Sequence, residues 1–339
     1  MRTRLVALLP VLLLALFARP APAAEPVSLK VGTIRITADA GIFLAIERGY
    51  FREEGLAITL EPFDTAAKQV APLAVGQIHI GVGAISAGLF NAVARNIDMK
   101  IVAEKGSSYK DRSASALAVR KDLVDSGRFR GYADLRGLTI ALSALGAGPQ
   151  VELYRALERG GVPESEVKLV PMAFPDMVTA FKNRAIEASM FQEPLTTLAV
   201  EMGVIVRWAL SYELYPDHTV GVLLYSPKLA TEHPEAARRF MVAYLRGVRD
   251  YTDAFVKNRG RPEVVRVLVK YTTVKNPALF ERMVPAGLHP DGQLNLKGIQ
   301  YDLDWYMSRG FVTRKVELAR AINLQYLEYA LKRLGPYQW

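Results

Sequence analysis

The sequence predicts an α/β protein of two lobes, each a mostly parallel sheet flanked by helices, with a helical C-terminal extension packed back on lobe 1. Three observations carry this. Residues 29–83 alternate extended and amphipathic runs at βαβ spacing, the same alternation restarts near residue 138, and beyond residue 225 the pattern is helical alone.

In the first set, the apolar, β-branched run Leu29 to Ile36 stops at the small-residue turn Thr37 to Gly41. An amphipathic segment follows and ends at Gly49. Leu56 to Leu60 is extended, the next helical segment closes at Gly76, and Ile78 to Val82 is extended again. Such a succession argues for right-handed βαβ units. Pro72 interrupts the second helical segment at the cost of a backbone donor. Either the helix kinks there, or it begins near Lys68 and Pro72 falls among the first donors, which lack partners anyway. Ser86 to Arg95 then reads as a helix and Met99 to Ala103 as a strand. Glu104 to Ser113 is polar and reads as an exposed, mobile loop.

Ala114 to Arg120 reads as a strand and Lys121 to Arg136 as connecting structure. The second set begins with the strand Leu138 to Leu142 and the turn Gly146-Ala147-Gly148-Pro149. Gln150 to Arg159 is helical, with Val151, Tyr154 and Leu157 on one stripe. Strands at Val167 to Pro171, Ala185 to Phe191 and Val204 to Ala209 alternate with helices at Asp176 to Asn183 and Pro194 to Met202. Val220 to Tyr225 is again extended. The tail follows: a long amphipathic helix from Pro234, a tolerated first-turn proline with His233 or Thr231 as the expected cap, then helices at Pro262 to Lys270, Pro277 to Val284, Leu296 to Ser308 and Val316 to Leu334. Chain crossings near residues 113 and 222 would form a hinge, with residues 24–113 and 222–339 in lobe 1 and residues 114–221 in lobe 2.

Bulk properties narrow the function. Arg2 and Arg4 precede an apolar run, Leu5 to Ala18, and an A-x-A site at Ala21-Pro22-Ala23. That is a secretion signal spanning residues 1–23, cut after Ala23 or Ala24, and too short for a good membrane span. The chain contains no cysteine, which excludes a disulfide framework, a thiol nucleophile, a cysteine-bound metal and the lipidated cysteine of a lipoprotein. A free, soluble protein is expected, in the periplasm if the source is Gram-negative. Net charge is +9, and losing the three arginines of the signal leaves +6. The positive residues are dispersed, so no nucleic-acid arm is indicated and only a mild bias toward anionic ligands remains.

Several strings together resemble the substrate-binding proteins of bacterial ABC importers, in the branch of sulfonate, taurine and nitrate receptors and the related thiamine-pyrimidine-precursor domain. They are Gly49-Tyr50-Phe51-Arg52-Glu53-Glu54-Gly55-Leu56, Leu73-Ala74-Val75-Gly76-Gln77-Ile78, Asp134-Leu135-Arg136-Gly137-Leu138-Thr139-Ile140-Ala141, Gln192-Glu193-Pro194 and His233-Pro234-Glu235. Two positions depart from the family's pattern: His79 stands where an acidic residue is common, and Glu187-Ala188 where Asp-Ala is. The resemblance implies a Venus-flytrap fold with a ligand between the lobes. It also implies docking on a membrane permease, no cofactor and no metal, and a monomer.

In this architecture ligands meet strand ends and helix N-termini, whose unpaired N–H groups favour anions. Three small-residue turns qualify, holding Thr37, Ala38 and Asp39; Gly83, Ala84 and Ser86; and Ser143, Gly146 and Ala147. The same compositions also serve ordinary βα loops. Asp39 either caps the helix from Ala40 or receives a cationic or hydroxyl group of the ligand. Phe174 either stacks on a flat ligand or packs in the core. Asp176, Gln192 and Glu193 are further candidates on lobe 2, and the Glu193 side chain follows a strand end toward the cleft. Tyr212, Asp217 and His218 lie near the return crossing, and His79 faces either a ligand or a lobe surface. No catalytic group is predicted. An organic anion, such as a sulfonate or aromatic carboxylate, or a nitrogenous solute is expected. Two alternatives stand beside this receptor: a synthase of the thiamine-pyrimidine type, whose cysteine-rich motif is missing here, and a ligand sensor for a membrane kinase.

Overall fold

The computed structural model describes residues 25–113 and 115–339, and the expected secretion signal lies outside them. Eleven strands among the described residues form two sheets. In chain order they are β1 (Val27–Thr33), β2 (Leu56–Pro62), β3 (Ile80–Ala84), β4 (Lys100–Tyr109), β5 (Arg112–Ser113), β6 (Ser115–Arg120), β7 (Thr139–Leu142), β8 (Lys168–Pro171), β9 (Ala188–Gln192), β10 (Ile205–Leu210) and β11 (His218–Tyr225). The first sheet has the order β2-β1-β3-β11-β4-β5 and the second β10-β6-β9-β7-β8.

Each sheet is parallel through its βαβ part, where β1 pairs with β2 and β3, and β7 with β8 and β9. It is antiparallel where the chain crosses, so the sheets are mixed rather than mostly parallel. β11 runs against both β3 and β4, and β6 against β9 and β10. Strands that carry the chain out of a lobe and back again run in opposite directions, which puts antiparallel ladders beside the crossings.

The segment Glu104 to Ser113, expected as an exposed loop, corrects that expectation. β4 extends to Tyr109, and Glu104, Lys105, Ser107 and Ser108 are all buried. Their partners are residues distant in sequence, His289 for Glu104, Asp39 for Lys105, Thr219 for Ser107 and Ser211 for Ser108, so local polarity gave the wrong sign. The return crossing is also earlier than residue 222, because β11 belongs to the first sheet from His218 onward. Pro72 sits at the third position of a short helix, Val70–Ala74, that follows a 3-10 turn at Ala66–Gln69. Its missing donor is therefore one the first turn leaves free. His79 lies outside β3; its Nδ1 accepts from the Lys30 amide at 2.9 Å, a role at the lobe surface.

The tail packs on lobe 1 through the 23-residue helix Pro234–Val256. Phe240, Met241, Tyr244, Leu245, Val248 and Tyr251 are buried in the same core as Leu29, Val31, Ile42 and Phe43. This helix crosses Ala40–Glu47 so closely that a Cβ on Gly247 would stand 2.0 Å from the Gly41 carbonyl oxygen. His233 occupies the N-cap position, and Thr231 lies before it. His233 makes no capping bond, and the Thr231 hydroxyl instead donates to the Pro227 and Lys228 carbonyls. The final expected helix is two, Leu318–Ala321 and Gln325–Leu334.

Between the lobes the crossings are fastened by buried polar groups. The Ser211 hydroxyl lies 2.7 Å from that of Ser108 and 2.8 Å from that of Ser113, and it donates to the Ser115 carbonyl at 2.8 Å. Glu152, on the lobe 2 helix Gly148–Gly160, accepts from the Ser115 hydroxyl at 2.5 Å and lies 3.1 Å from His218 Nδ1. His218 Nε2 is 2.8 Å from Asp302 on the tail helix Leu296–Ser308, and Tyr215 stacks on the imidazole at 4.2 Å. Glu152, His218 and Asp302 are each fully buried. Burial alone would lower the His218 pKa, but the Asp302 charge and hydrogen bond, with Glu152, push it up to about 10.

Candidate ligand cleft

The carboxyl ends of strands from both sheets converge on one cleft. Its walls are Ile34, Ile36 and Ala38 after β1, Gly83 and Ala84 on β3, Ser143 after β7, and Gln192 ending β9. Pro149 and Phe174 come from the starts of two lobe 2 helices. Lys105 and Gly106 of β4, with Val220 and Gly221 of β11, form the floor. The cavity between them is about 30 Å³, room for little more than a water molecule. The lobes therefore stand closed. Two larger openings flank the cleft mouth, of about 380 and 540 Å³, and Asp64, Ala173 and Asp176 border both.

Closure is made by backbone. The Thr37 amide and hydroxyl both donate to the Glu193 carbonyl, at 3.3 and 3.1 Å. The Ala87 amide donates to the Gly146 carbonyl at 2.8 Å, and the Gly148 amide to that of Ile85 at 3.0 Å. Ser86 and Ala147 form an isolated antiparallel bridge beside them. Gly146 sits at φ +65°, in the left-handed region, and a Cβ there would meet Ala87 and Phe311 at 3.3 Å.

The twelve residues expected around a ligand thus divide. Ala38, Gly83, Ala84, Ser143, Phe174 and Gln192 line the cavity. Thr37, Ser86, Gly146, Ala147 and Glu193 hold the lobes together through backbone atoms or the Thr37 hydroxyl. The Ser86 hydroxyl accepts from the Leu89 amide and caps its helix. Glu193 corrects the expectation of a side chain in the cleft. Its carboxylate accepts from the Thr197 amide at 3.0 Å and from Arg207 at 2.6 Å, inside lobe 2. Phe174 packs in the core, 6.3 Å from Phe191, and also borders the cavity.

Asp39 does not cap the helix from Ala40. Its Oδ2 accepts from the Thr33 hydroxyl at 2.7 Å and from the amides of Ile34 and Arg35 at 3.0 and 3.1 Å. This pins the turn after β1, where Arg35 takes φ +57°. Its Oδ1 pairs with the Lys105 ammonium at 2.7 Å, and both residues are buried. Tyr212, Asp217 and His218 stand at the crossing, off the cavity wall. The Tyr212 amide donates to Ser113, and His218 belongs to the hinge cluster. Lys105 is the cleft residue the sequence reading missed. Glu104 beside it is fully buried; burial drives its pKa up to about 8, although the His289 amide donates to it.

Two lobes, joined by two crossings and closed over a cleft at their strand ends, define the periplasmic binding protein fold. The chain belongs to the NMT1-like family, whose model matches residues 22–269. No curated protein matches the sequence. The fold is shared by the nitrate-binding protein NrtA from Synechocystis PCC 6803, with a TM-score of 0.76 at 16% identity, covering 92% of this chain and 90% of that one. The alkanesulfonate-binding protein SsuA from Xanthomonas axonopodis pv. citri, bound to MOPS, is similar with a TM-score of 0.71 at 22% identity, covering 89% and 100%. An enzyme, the desulfurization enzyme DszB, shares the fold too, with a TM-score of 0.61 at 16% identity over 91% and 99%. These likenesses concern the fold. Among the described residues no helix is long and apolar enough to cross a membrane, and no group of three or more His, Asp or Glu is placed to hold a metal ion.

Proposed function

We propose that this chain is the solute-binding component of an ABC importer, exported and acting as a monomer. Residues 25–113 with 218–339 form one jaw and residues 115–217 the other. A small organic anion enters the open cleft, touches both jaws only when they close, and so shifts the population to the closed form. That form is the one a membrane permease would engage and reopen. No bond is made or broken in the solute.

The observation that supports this reading best is the cleft itself. Strand ends from both sheets meet there, and three backbone contacts seal it. Because DszB shows that this fold also carries an enzyme, turnover must be measured and not assumed absent. The test is thermal stability against a panel of carboxylates, sulfonates, oxyanions and heterocycles, with native mass spectrometry of the protein as purified. A true ligand stabilises by mass action on the folded state. If no compound shifts the melting temperature and no small molecule co-purifies, the receptor reading fails. Chemical change in a bound compound would replace it with an enzyme.

A further inference from the structure

A chain of contacts leads from the cleft seal to the outer face of the molecule. On lobe 2 it starts at Gly146, whose carbonyl accepts from the Ala87 amide of lobe 1. The Gly146 amide donates to Gln150 Oε1 at 2.7 Å, and Gln150 Nε2 donates to Glu164 Oε1 at 2.6 Å. Gln150 is 2% exposed. The sealing turn and the Glu164 carboxylate are thus tied through one buried side chain and move as a unit.

Lobe 1 carries the matching half. The helix Ala87–Ala94 supplies the sealing amide at its first residue, and Asn91, one turn on, donates to the Phe311 carbonyl at 2.8 Å. Phe311 follows the tail helix and stands so near the seal that a Cβ on Gly146 would meet its ring at 3.3 Å. Arg309, two residues earlier, faces lobe 2. Its guanidinium lies 4.7 Å from the centre of the Tyr154 ring and 3.4 Å from Glu164 Oε2. That oxygen is buried and has no hydrogen-bond partner among the described residues. Tyr154 in turn packs 5.6 Å from Trp305 of the tail helix. Because each half is one connected piece, the seal cannot part without pulling Arg309 away from Glu164 and Tyr154.

Resting on the receptor reading above, we propose that Arg309, Glu164 and Tyr154 form a latch that sets how much of the protein is closed. None of the three borders the cavity, so they act as positioning residues and never meet a solute. The apparent affinity of a binding-competent state scales with its population. Solute affinity therefore carries a factor fixed on the outer face of the tail helix. The ion pair is only partly shielded, with the two side chains 36% and 19% exposed, so dissolved salt weakens the latch.

Disulfide trapping in the full, cysteine-free chain tests this without any solute. Ser86 and Ala147 oppose each other in the antiparallel bridge, between the hydrogen bonds Ala87–Gly146 and Gly148–Ile85. Such a pair holds its Cα atoms about 4.5 Å apart, within disulfide reach, and does so only when the jaws are shut. In a parent carrying Ser86→Cys and Ala147→Cys, the rate of disulfide formation under excess oxidised glutathione therefore counts the closed population. Adding Arg309→Met should slow it about fivefold, since both the ion pair and the cation–π contact are lost. Adding Glu164→Gln instead should slow it about twofold. It should also abolish the slowing by sodium chloride that the parent shows, a response that loss of packing alone would not remove. Circular dichroism confirms that each variant is folded. Equal or faster trapping in either variant, or a salt response that survives Glu164→Gln, overturns the latch and leaves the receptor reading standing. If the parent pair forms no disulfide at all, the jaws do not meet in this way and both fall.

Discussion

Replacing Asp302 by Asn should loosen the hinge and flatten its response to alkali. In the folded chain His218 lies between Asp302 at 2.8 Å and Glu152 at 3.1 Å, all three fully buried. Removing one partner of a buried charged group costs about 3–5 kcal/mol. The pH dependence follows from the same geometry. His218 is raised from 6.5 to about 10 in the folded state. A group whose folded pKa is raised contributes fully below its unfolded value, so this contribution is whole below pH 6.5, declines through the interval and is gone above pH 10. At about 1.4 kcal/mol per unit, the upper bound is on the order of 4–5 kcal/mol. The groups that face the imidazole are Glu152 from lobe 2, Asp302 from the tail helix and Tyr215 from the crossing. Urea unfolding of both proteins across that interval is the assay. The wild type should lose stability steadily as pH rises, whereas the Asn variant should start lower and change less. Equal midpoints at neutral pH, or a wild-type profile flat across the interval, would refute the reasoning.

Other consequences can be measured alongside. Glu104 titrates near pH 8 when folded against 4.5 when free. Its ionisation therefore destabilises the folded chain progressively between those values, and Glu104→Gln should remove several kcal/mol of that slope in urea melts. Gly247→Ala drives a methyl group against the Gly41 carbonyl, so thermal unfolding should reveal a loss of about 1–3 kcal/mol or more from overpacking. Gly146→Val faces both a left-handed backbone and contacts at 3.3 Å with Ala87 and Phe311. It should weaken ligand binding tenfold or more in calorimetry, with a far smaller effect on the circular dichroism spectrum. Unchanged affinity would detach this turn from closure.

Much of the fold was legible because hydrophobic period and turn residues agreed. Leu296–Ser308 matches its expected bounds, and the strands at 168–171 and 205–210 differ from expectation by one residue at the ends. The small-residue turns after β1, β3 and β7 were readable as cleft elements, since glycine and alanine leave room for close approach. Lys105 was not readable. The stretch Glu104 to Ser113 is polar, and polarity signals exposure only when the partners are water. Here they are Asp39, Glu152, Ser211 and Gly287, between 44 and 180 positions away from the strand residues they meet. Asp39 failed for a related reason. A carboxylate before a helix is expected to cap it forward, but Thr33, Ile34 and Arg35 offered donors behind it.

The central claim is that two jaws open without a ligand and shut upon one. Small-angle scattering tests it most directly, on protein stripped of bound molecules by unfolding and refolding, then returned to its own extracted ligand fraction. The account expects the stripped protein to be more extended than the closed structure and to contract onto that structure's curve when the fraction is restored. A stripped protein that already matches the closed curve, and does not change on restoration, would contradict it.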